Sequence, residues 1–269
     1  MSKEVEDVER QGLAAWHDAT PEALKARLGL QAVEVGKALV SIAAKAPASA
    51  IVANRAIGLG LDGPETRGNI ERIAALYRNA GVERYFIHVH PEAQPDNIRT
   101  WLEETGLKKA RGWMKFTHGC EELPGIRETD LTIRRAAPAD APAFGRIVAD
   151  AFDLGPELAA WVACLVGAKG WHIYMSFDGD EPAGTGGLFV QGGIAYCDWG
   201  ATVPAYRQRG SQSALLHRRV SEAIAMGCRR IVSETGEAVP GDPQHSYSNI
   251  LRMGFTEDFV RENYAPPRL

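Results

Sequence analysis

The chain reads as an α/β protein made of two like halves, and three observations predict that class. Apolar runs of strand length alternate with stretches of helical spacing along both halves. One order of elements (strand, helix, strand, helix, strand) occurs twice. The glycines that would close the paired helices stand at nearly one offset, Gly81 to Gly227 being 146 residues and Gly106 to Gly254 148. A near-constant offset of that kind points to an internal duplication.

In the first half, Ala50 to Leu61 is strand-like, with Ile57, Leu59 and Leu61 alternating. Asn69 to Ala80 carries Ile70, Ile73, Ala74 and Tyr77 at helical spacing, and Gly81 offers a left-handed stop. Glu83 to His90 reads as a strand, Pro95 to Thr105 as a helix stopped at Gly106-Leu107, and Arg111 to Thr117 as a strand. Residues 119–130, containing Gly119, Pro124 and Gly125, read as a linker between domains at 1–118 and 131–269.

In the second half, a strand from Leu131 leads to a helix opening at Pro138 to Asp140, where a missing N–H costs nothing. Phe144, Ile147, Val148 and Ala151 continue that helix, and Pro156 to Ala168 forms another with Leu158, Trp161, Val162 and Leu165 on one face. Trp171 to Phe177, Ala183 to Val190 and Ile194 to Val203 read as strands joined by Asp178-Gly179-Asp180 and Gly192-Gly193, both strong hairpin signals. A helix with Leu215, Leu216, Val220, Ala223 and Ile224 ends at Gly227. Arg229 to Thr235 is a strand, Asp242 to Met253 a helix stopped by Gly254-Phe255, and Thr256 to Tyr264 a last strand.

The segment between the third of those hairpin strands and its helix carries the chemistry. Arg207-Gln208-Arg209-Gly210-Ser211-Gln212-Ser213 is a short basic turn with one glycine, opening a helix. Uncapped first-turn N–H groups and the positive end of the helix dipole make such a corner an anion cradle, with Arg207 and Arg209 adding positive charge. It is not a nucleoside-triphosphate loop, which needs Lys and then Ser or Thr after its glycine. It is not a dinucleotide fingerprint, which needs three spaced glycines.

This segment resembles the acetyl-CoA-binding signature of the GCN5-related N-acetyltransferases: Arg or Gln, two residues, Gly, one residue, then Gly or Ala. Arg207 and Gly210 match, whereas Gln212 stands where a small residue is usual. The resemblance spans Leu131 to Tyr264 and includes the helix that ends in Gly-Phe before a final strand. It implies two domains of that family, each a mixed, mostly antiparallel sheet flanked by helices. It also implies acetyl-CoA as co-substrate and direct transfer to an amine acceptor, a small molecule or a protein amino group.

By that resemblance Ala201, Thr202 and Val203 lie along the pantetheine arm. Arg207, Gln208, Arg209, Gly210, Ser211, Gln212 and Ser213 surround the pyrophosphate, and Asn249 contacts the arm. An attacking amine must lose a proton to a base. Strand alternation offers Asp198, on a face shared with Tyr196 and Gly200, or Glu234 at the end of the next strand; a hairpin or surface role is the alternative for each. The family's usual tyrosine position is Ile250 here, and Tyr247 one turn earlier is the candidate acid or simply a packed ring. Trp171 and Trp199 are candidates for an acceptor wall or for core.

The first half differs where the cradle would be. Gly60-Leu61-Asp62-Gly63-Pro64-Glu65-Thr66-Arg67-Gly68 puts Asp62 and Glu65 where a phosphate would lie, and Pro64 removes a donor. A half that has lost cofactor binding is the expectation. A non-catalytic CoA-binding or interaction protein on the same fold is the alternative to an enzyme.

The remaining features bound these readings. A formal net charge of −4 argues against nucleic acid as the main partner. No apolar run approaches the roughly 20 residues of a membrane span, and the early Glu4, Glu6, Asp7 and Glu9 do not read as a secretory signal, so a cytoplasmic protein is expected. Cys120, Cys164, Cys197 and Cys228 have no paired spacing, and His88-Val89-His90 lacks a nearby third ligand, so no metal is expected. Oligomeric state and acceptor identity have no sequence signal.

Overall fold

The computed structural model describes residues 2–120, 123–125 and 128–267. Residues 121, 122, 126 and 127 of the expected linker lie outside the described residues. The chain divides into two compact units, Met1–Trp113 with Phe259–Leu269, and Met114–Asp258.

The first unit contains α1 (Ser2–Asp18), α2 (Glu22–Leu28), β1 (Leu30–Val35), β2 (Ala38–Ala43), β3 (Arg55–Ile57), α3 (Arg67–Asn79), β4 (Phe86–Val89), α4 (Ile98–Glu104) and the start of β5 (Lys108–His118). Most of β11 (Thr256–Ala265) belongs to it as well. Its strand order is β1-β2-β3-β4-β11-β5. β3 and β4 run parallel, while β1–β2, β2–β3 and β4–β11 are antiparallel. Ile70, Ile73 and Tyr77 of α3 and Ile98 and Leu102 of α4 bury their apolar faces on Val40, Ala56, Ile87 and Val89.

The second unit contains the end of β5, β6 (Thr132–Arg135), α5 (Ala141–Ala151), α6 (Pro156–Ala163), β7 (Trp171–Asp178), β8 (Glu181–Gln191), β9 (Ile194–Thr202), α7 (Ser211–Ala225), β10 (Arg230–Gly236), α8 (His245–Arg252) and the start of β11. Its order is β5-β10-β9-β8-β7-β6. β9 and β10 are parallel, and β6 to β9 form an antiparallel meander. Leu215, Leu216, Val220 and Ala223 of α7 pack with Ala195, Cys197 and Ile231 of the sheet.

Each half therefore has a parallel pair, β3–β4 and β9–β10, joined through a strand–turn–helix crossover. The helices in those crossovers end alike: Gly81 and Gly227 take φ of +70° and +75°, and the next residue's N–H reaches back to Tyr77 O and Ala223 O. That is a Schellman stop in both copies.

Four elements precede Ala50, where the sequence reading assigned none. α1 is charged enough to look like a solvated N-terminus, yet Glu6 and Glu9 are 1% exposed. They pair with Arg261 and Arg55, the Arg261 Nη1–Glu6 Oε2 and Arg55 Nη1–Glu9 Oε1 distances both being 3.0 Å. Ala50 to Leu61 is also corrected. Only Arg55–Ile57 is strand, after a 3-10 turn at Ile51–Ala53, and the chain turns away at Gly58 and Gly60 with φ of +92° and +66°.

The units are not cut at residues 119–130. The strand that closes the second half, β11, pairs with β4 (Glu262↔Val89, Asn263↔His88, Tyr264↔Ile87) and completes the first unit. The end of β5, which closes the first half, belongs with β10 in the second. Strand pattern marks an element but not its partner, so this exchange left no trace in local periodicity.

Candidate functional site

β9 is paired on both edges only for its first part. Its parallel ladder with β10 runs from Ile194↔Arg230 to Cys197↔Ser233, while on the other edge β8 follows it to Thr202↔Gly184. Asp198 and Glu234 are the next residues past Cys197 and Ser233, so they flank the point where the two strands part. A bulge marks that point. Trp199 sits at φ +55°, an unusual value for a bulky residue, and the β8 register shifts between Thr185 and Gly187.

Contacts within β9 and from β8 and α7 hold the bulge. The Trp199 N–H donates to Asp198 Oδ1 at 2.7 Å, and the Thr185 hydroxyl donates to Trp199 O at 2.9 Å. Arg219 Nη1 donates to Asp198 O at 3.0 Å and to Gly187 O at 3.2 Å. The extra residue reverses the alternation beyond it. A side chain at Gly200 would meet Gln212 and Arg219 of α7, so Gly200 lies on the face of Ala195 and Cys197. The face that strand alternation would have it share with Tyr196 and Asp198 is the opposite one.

From β9 the chain passes Val203, a 3-10 turn at Pro204–Tyr206, and Gly210, which begins α7 at φ +81° with no side-chain cap. Of the arm candidates, Val203 N donates to Ala183 O at 2.9 Å and Ala201 O accepts from Gln212 Nε2 at 2.7 Å. Strand alternation turns the Thr202 main-chain groups between them toward the open edge. Ser211 is buried, its hydroxyl 2.8 Å from Ser176 Oγ, and Ser213 is half-buried. Gln212 also donates to Thr202 Oγ1 at 2.9 Å, so its side chain is folded onto β9. Gln208 (φ +64°) and Arg207 are exposed.

Arg209 differs from its neighbour. Its guanidinium pairs with Asp130 and, at 2.7 Å, with Asp178 Oδ2, while Thr129 donates to its carbonyl at 2.6 Å. Its hydrogen bonds hold the Asp130 and Asp178 carboxyls below the usual carboxylate range and raise the arginine further. The positive charge the sequence assigned to this side chain is thus spent on two aspartates, and Arg207 is the loop's exposed cation.

The matching corner of the first unit is filled. Gln94 N donates to Gly60 O and Gln94 O accepts from Glu65 N, both at 2.8 Å. Thr66 caps α3 by accepting from Asn69 N at 3.2 Å. The Glu65 carboxylate, 7% exposed, accepts from Thr66 N at 2.9 Å and from Asn69 Nδ2 at 2.6 Å. An internal carboxylate therefore stands at the helix N-terminus where an external anion would otherwise bind.

The remaining candidates fall in two places. Glu234, beside the parting strands, accepts from Tyr196 Oη at 2.6 Å and pairs with the fully buried Lys115. Tyr247 and Asn249 lie on α8 with other partners. Tyr247 packs edge-on to Phe116 at 4.8 Å and donates to Glu257; burial and that carboxylate push its phenol up to about 12. Asn249 Oδ1 accepts from Arg252. Trp171 and Trp199 are 5% and 3% exposed and contact Phe189 and Phe152.

Sequence reasoning missed Lys115, Tyr196, Thr185 and Arg219; only the polar residues' positions inside apolar strands and helix faces could have flagged them. His88 Nδ1 is 2.6 Å from Asn263 Oδ1, and among the described residues no group of three or more His, Cys, Asp or Glu could hold a metal. Among them, too, no helix is long and apolar enough to cross a membrane.

Solved structures place this geometry. A GCN5-related N-acetyltransferase from Kribbella flavida matches at TM-score 0.60 and 14% identity, over 95% of this chain and 96% of that one. One from Sphaerobacter thermophilus matches at 0.60 and 14%, over 96% and 91%. A tandem protein of this fold from the clavulanic acid biosynthesis pathway matches at 0.57 and 12%, over 97% and 94%. No family model matches the chain, and no curated protein does. The chain has the fold of the GCN5-related N-acetyltransferases, in their tandem arrangement.

Proposed function

We propose that the protein is an acetyl-CoA-dependent N-acetyltransferase acting on a primary amine, with the chemistry in the second unit and a first half that no longer binds cofactor. The observation that carries this is the contrast between the two crossover corners. In the first unit Glu65, Thr66 and Gln94 fill the corner. In the second, α7 opens on Gly210 without a side-chain cap, beside a strand whose ladder with β10 ends at Cys197. Main-chain amides from Gly210 to Ser213, with Arg207, suit a diphosphate. The Thr202 edge of β9 suits an extended arm with amide groups.

Acetyl-CoA supplies an activated acyl group. The neutral acceptor amine attacks the thioester carbonyl carbon and forms the C–N bond. Its surplus proton passes to a carboxylate, the C–S bond breaks, and the thiolate leaves with the electron pair. We favour Asp198 as the proton acceptor, because it stands at the bulge where β9 leaves β10, beside the edge offered to the arm. A phenol at about 12 that donates to Glu257 is a packing group rather than an acid, so the thiolate leaves unassisted.

The neutralised Arg209 and the engaged Glu234 favour a second reading, a CoA-binding protein without turnover. Isothermal titration of the intact protein with acetyl-CoA tests both, and absence of binding overturns both. Where binding occurs, thiol release across a panel of primary amines separates enzyme from binder.

A further inference from the structure

We propose that Arg219 is an electrostatic positioning residue of this site: its guanidinium fixes the β9 bulge and sets a permanent positive charge beneath the end of the strand where acyl transfer develops negative charge. The inference rests on the second unit being an acyl-CoA site.

Arg219 lies on α7, 4% exposed, at a helix position where an apolar side chain would serve packing. Its donors go to three main-chain carbonyls, Leu215 O at 3.1 Å, Gly187 O and Asp198 O. Among the described residues no carboxylate pairs with it. A buried cation hydrogen-bonded only to carbonyls, with the Asp198 carboxylate near enough to attract it but not to pair, is costly, and fold stability gives little reason to keep it. The sheet is nevertheless shaped around it. A Cβ at Gly186 would stand 2.7 Å from Arg219 Nε and 2.8 Å from Cζ, so glycine at that place leaves the guanidinium its room.

The charge arrangement explains the cost. Asp198 must be ionised to accept a proton, and the carbonyl oxygen of the thioester becomes negative nearby. Two negative groups at one strand end repel each other unless a fixed cation lies close by, and in a water-poor interior that cation acts over several ångströms. The fork also reaches both sides of the bulge, Gly187 on β8 and Asp198 on β9, and so orients the strand that carries the arm.

S-carboxymethyl-CoA tests this, since its carboxylate places a full negative charge where the acyl group would lie. Titration of the intact protein and of Arg219→Met with this ligand and with acetyl-CoA gives the readout, alongside thermal denaturation. The expected result is that the carboxymethyl ligand loses about tenfold more affinity than acetyl-CoA, beyond whatever loss of Tm and affinity the loosened bulge causes for both. Arg219→Lys, which keeps the charge without the fork, should retain the discrimination between the two ligands. If the unaltered protein binds both and Arg219→Met loses them equally, or only in step with stability, the residue is structural and this inference alone falls. If the unaltered protein binds neither, the acyl-CoA reading falls and takes the inference with it.

Discussion

Arg207 and Arg209 stand two residues apart in one loop, yet their surroundings differ. Arg207 is exposed at the mouth of α7, whereas Arg209 is tied to Asp130 and Asp178. Arg207→Glu should therefore weaken acetyl-CoA binding directly, by about tenfold at low salt and less at high salt. Arg209→Glu should act through the loop, lowering Tm as well as affinity, and titration beside thermal melts separates the two. Two buried groups give pH signatures. Burial first, then Lys25 and Arg55, hold His17 down at about 4, against 6.5 for the free side chain. Its contribution to stability is present above 6.5 and is lost as pH falls toward 4; His17→Gln should flatten that acid slope in urea melts, worth about 3 kcal/mol at most. Tyr247 has the opposite sense. Its raised phenol leaves stability unaffected below pH 10 and lowers it as pH rises from 10 to about 12, a slope that Tyr247→Phe should remove. The burial of His17 was not legible in the sequence, nor was that of Glu6 and Glu9, because a charged helix near a terminus looks solvated until its partners are known.

Among elements, α3 and α7 are one design with two N-termini. Both stop at a left-handed glycine, and Gly227→Ala should cost about 1 kcal/mol, read as a lower Tm. The starts diverge: Thr66 and Glu65 close α3, and Gly210 begins α7 without a side-chain cap. Replacing Glu65 with alanine should destabilise the first unit by about 1 kcal/mol without touching acetyl-CoA affinity. The acidic cluster and the lone glycine showed this difference in the sequence, since capping and turn chemistry are local. The place of the bulge at Trp199 was not visible. Gly200 inside the run from Ile194 to Thr202 is a mark of a bulge, but it does not place the extra residue, and it took Thr185, Gly187 and Arg219 from other elements to hold it. That one residue moved Gly200 to the α7 face, which no alternation argument could foresee.

For the whole molecule, the strand closing the chain belongs to the unit that opens it. β11 gives the first unit the partner of β4, and Arg261 and Asn263 fill its interior at 0% exposure. Removing residues 259–269 should therefore unfold the first unit, although the duplication assigns that strand to the second half. Loss of near-ultraviolet circular dichroism and rapid proteolysis within Met1–Trp113 would show it; a first unit that stays protease-resistant would contradict the exchange. The similarity to solved structures at 12–14% identity belongs to this scale too. Fold survives such divergence because it depends on apolar pattern and volume, whereas sites depend on single side chains.

By itself the sequence determined the α/β class, the repeated order of elements, the glycine stops and the basic turn before α7, because periodicity, capping and turn chemistry act within a few residues. Only the tertiary structure decided which strand completes which unit, which arginine of the loop stays exposed and which is paired, and where β9 bends. Those outcomes depend on groups distant in the chain meeting in space, where pairing and burial outweigh local preference.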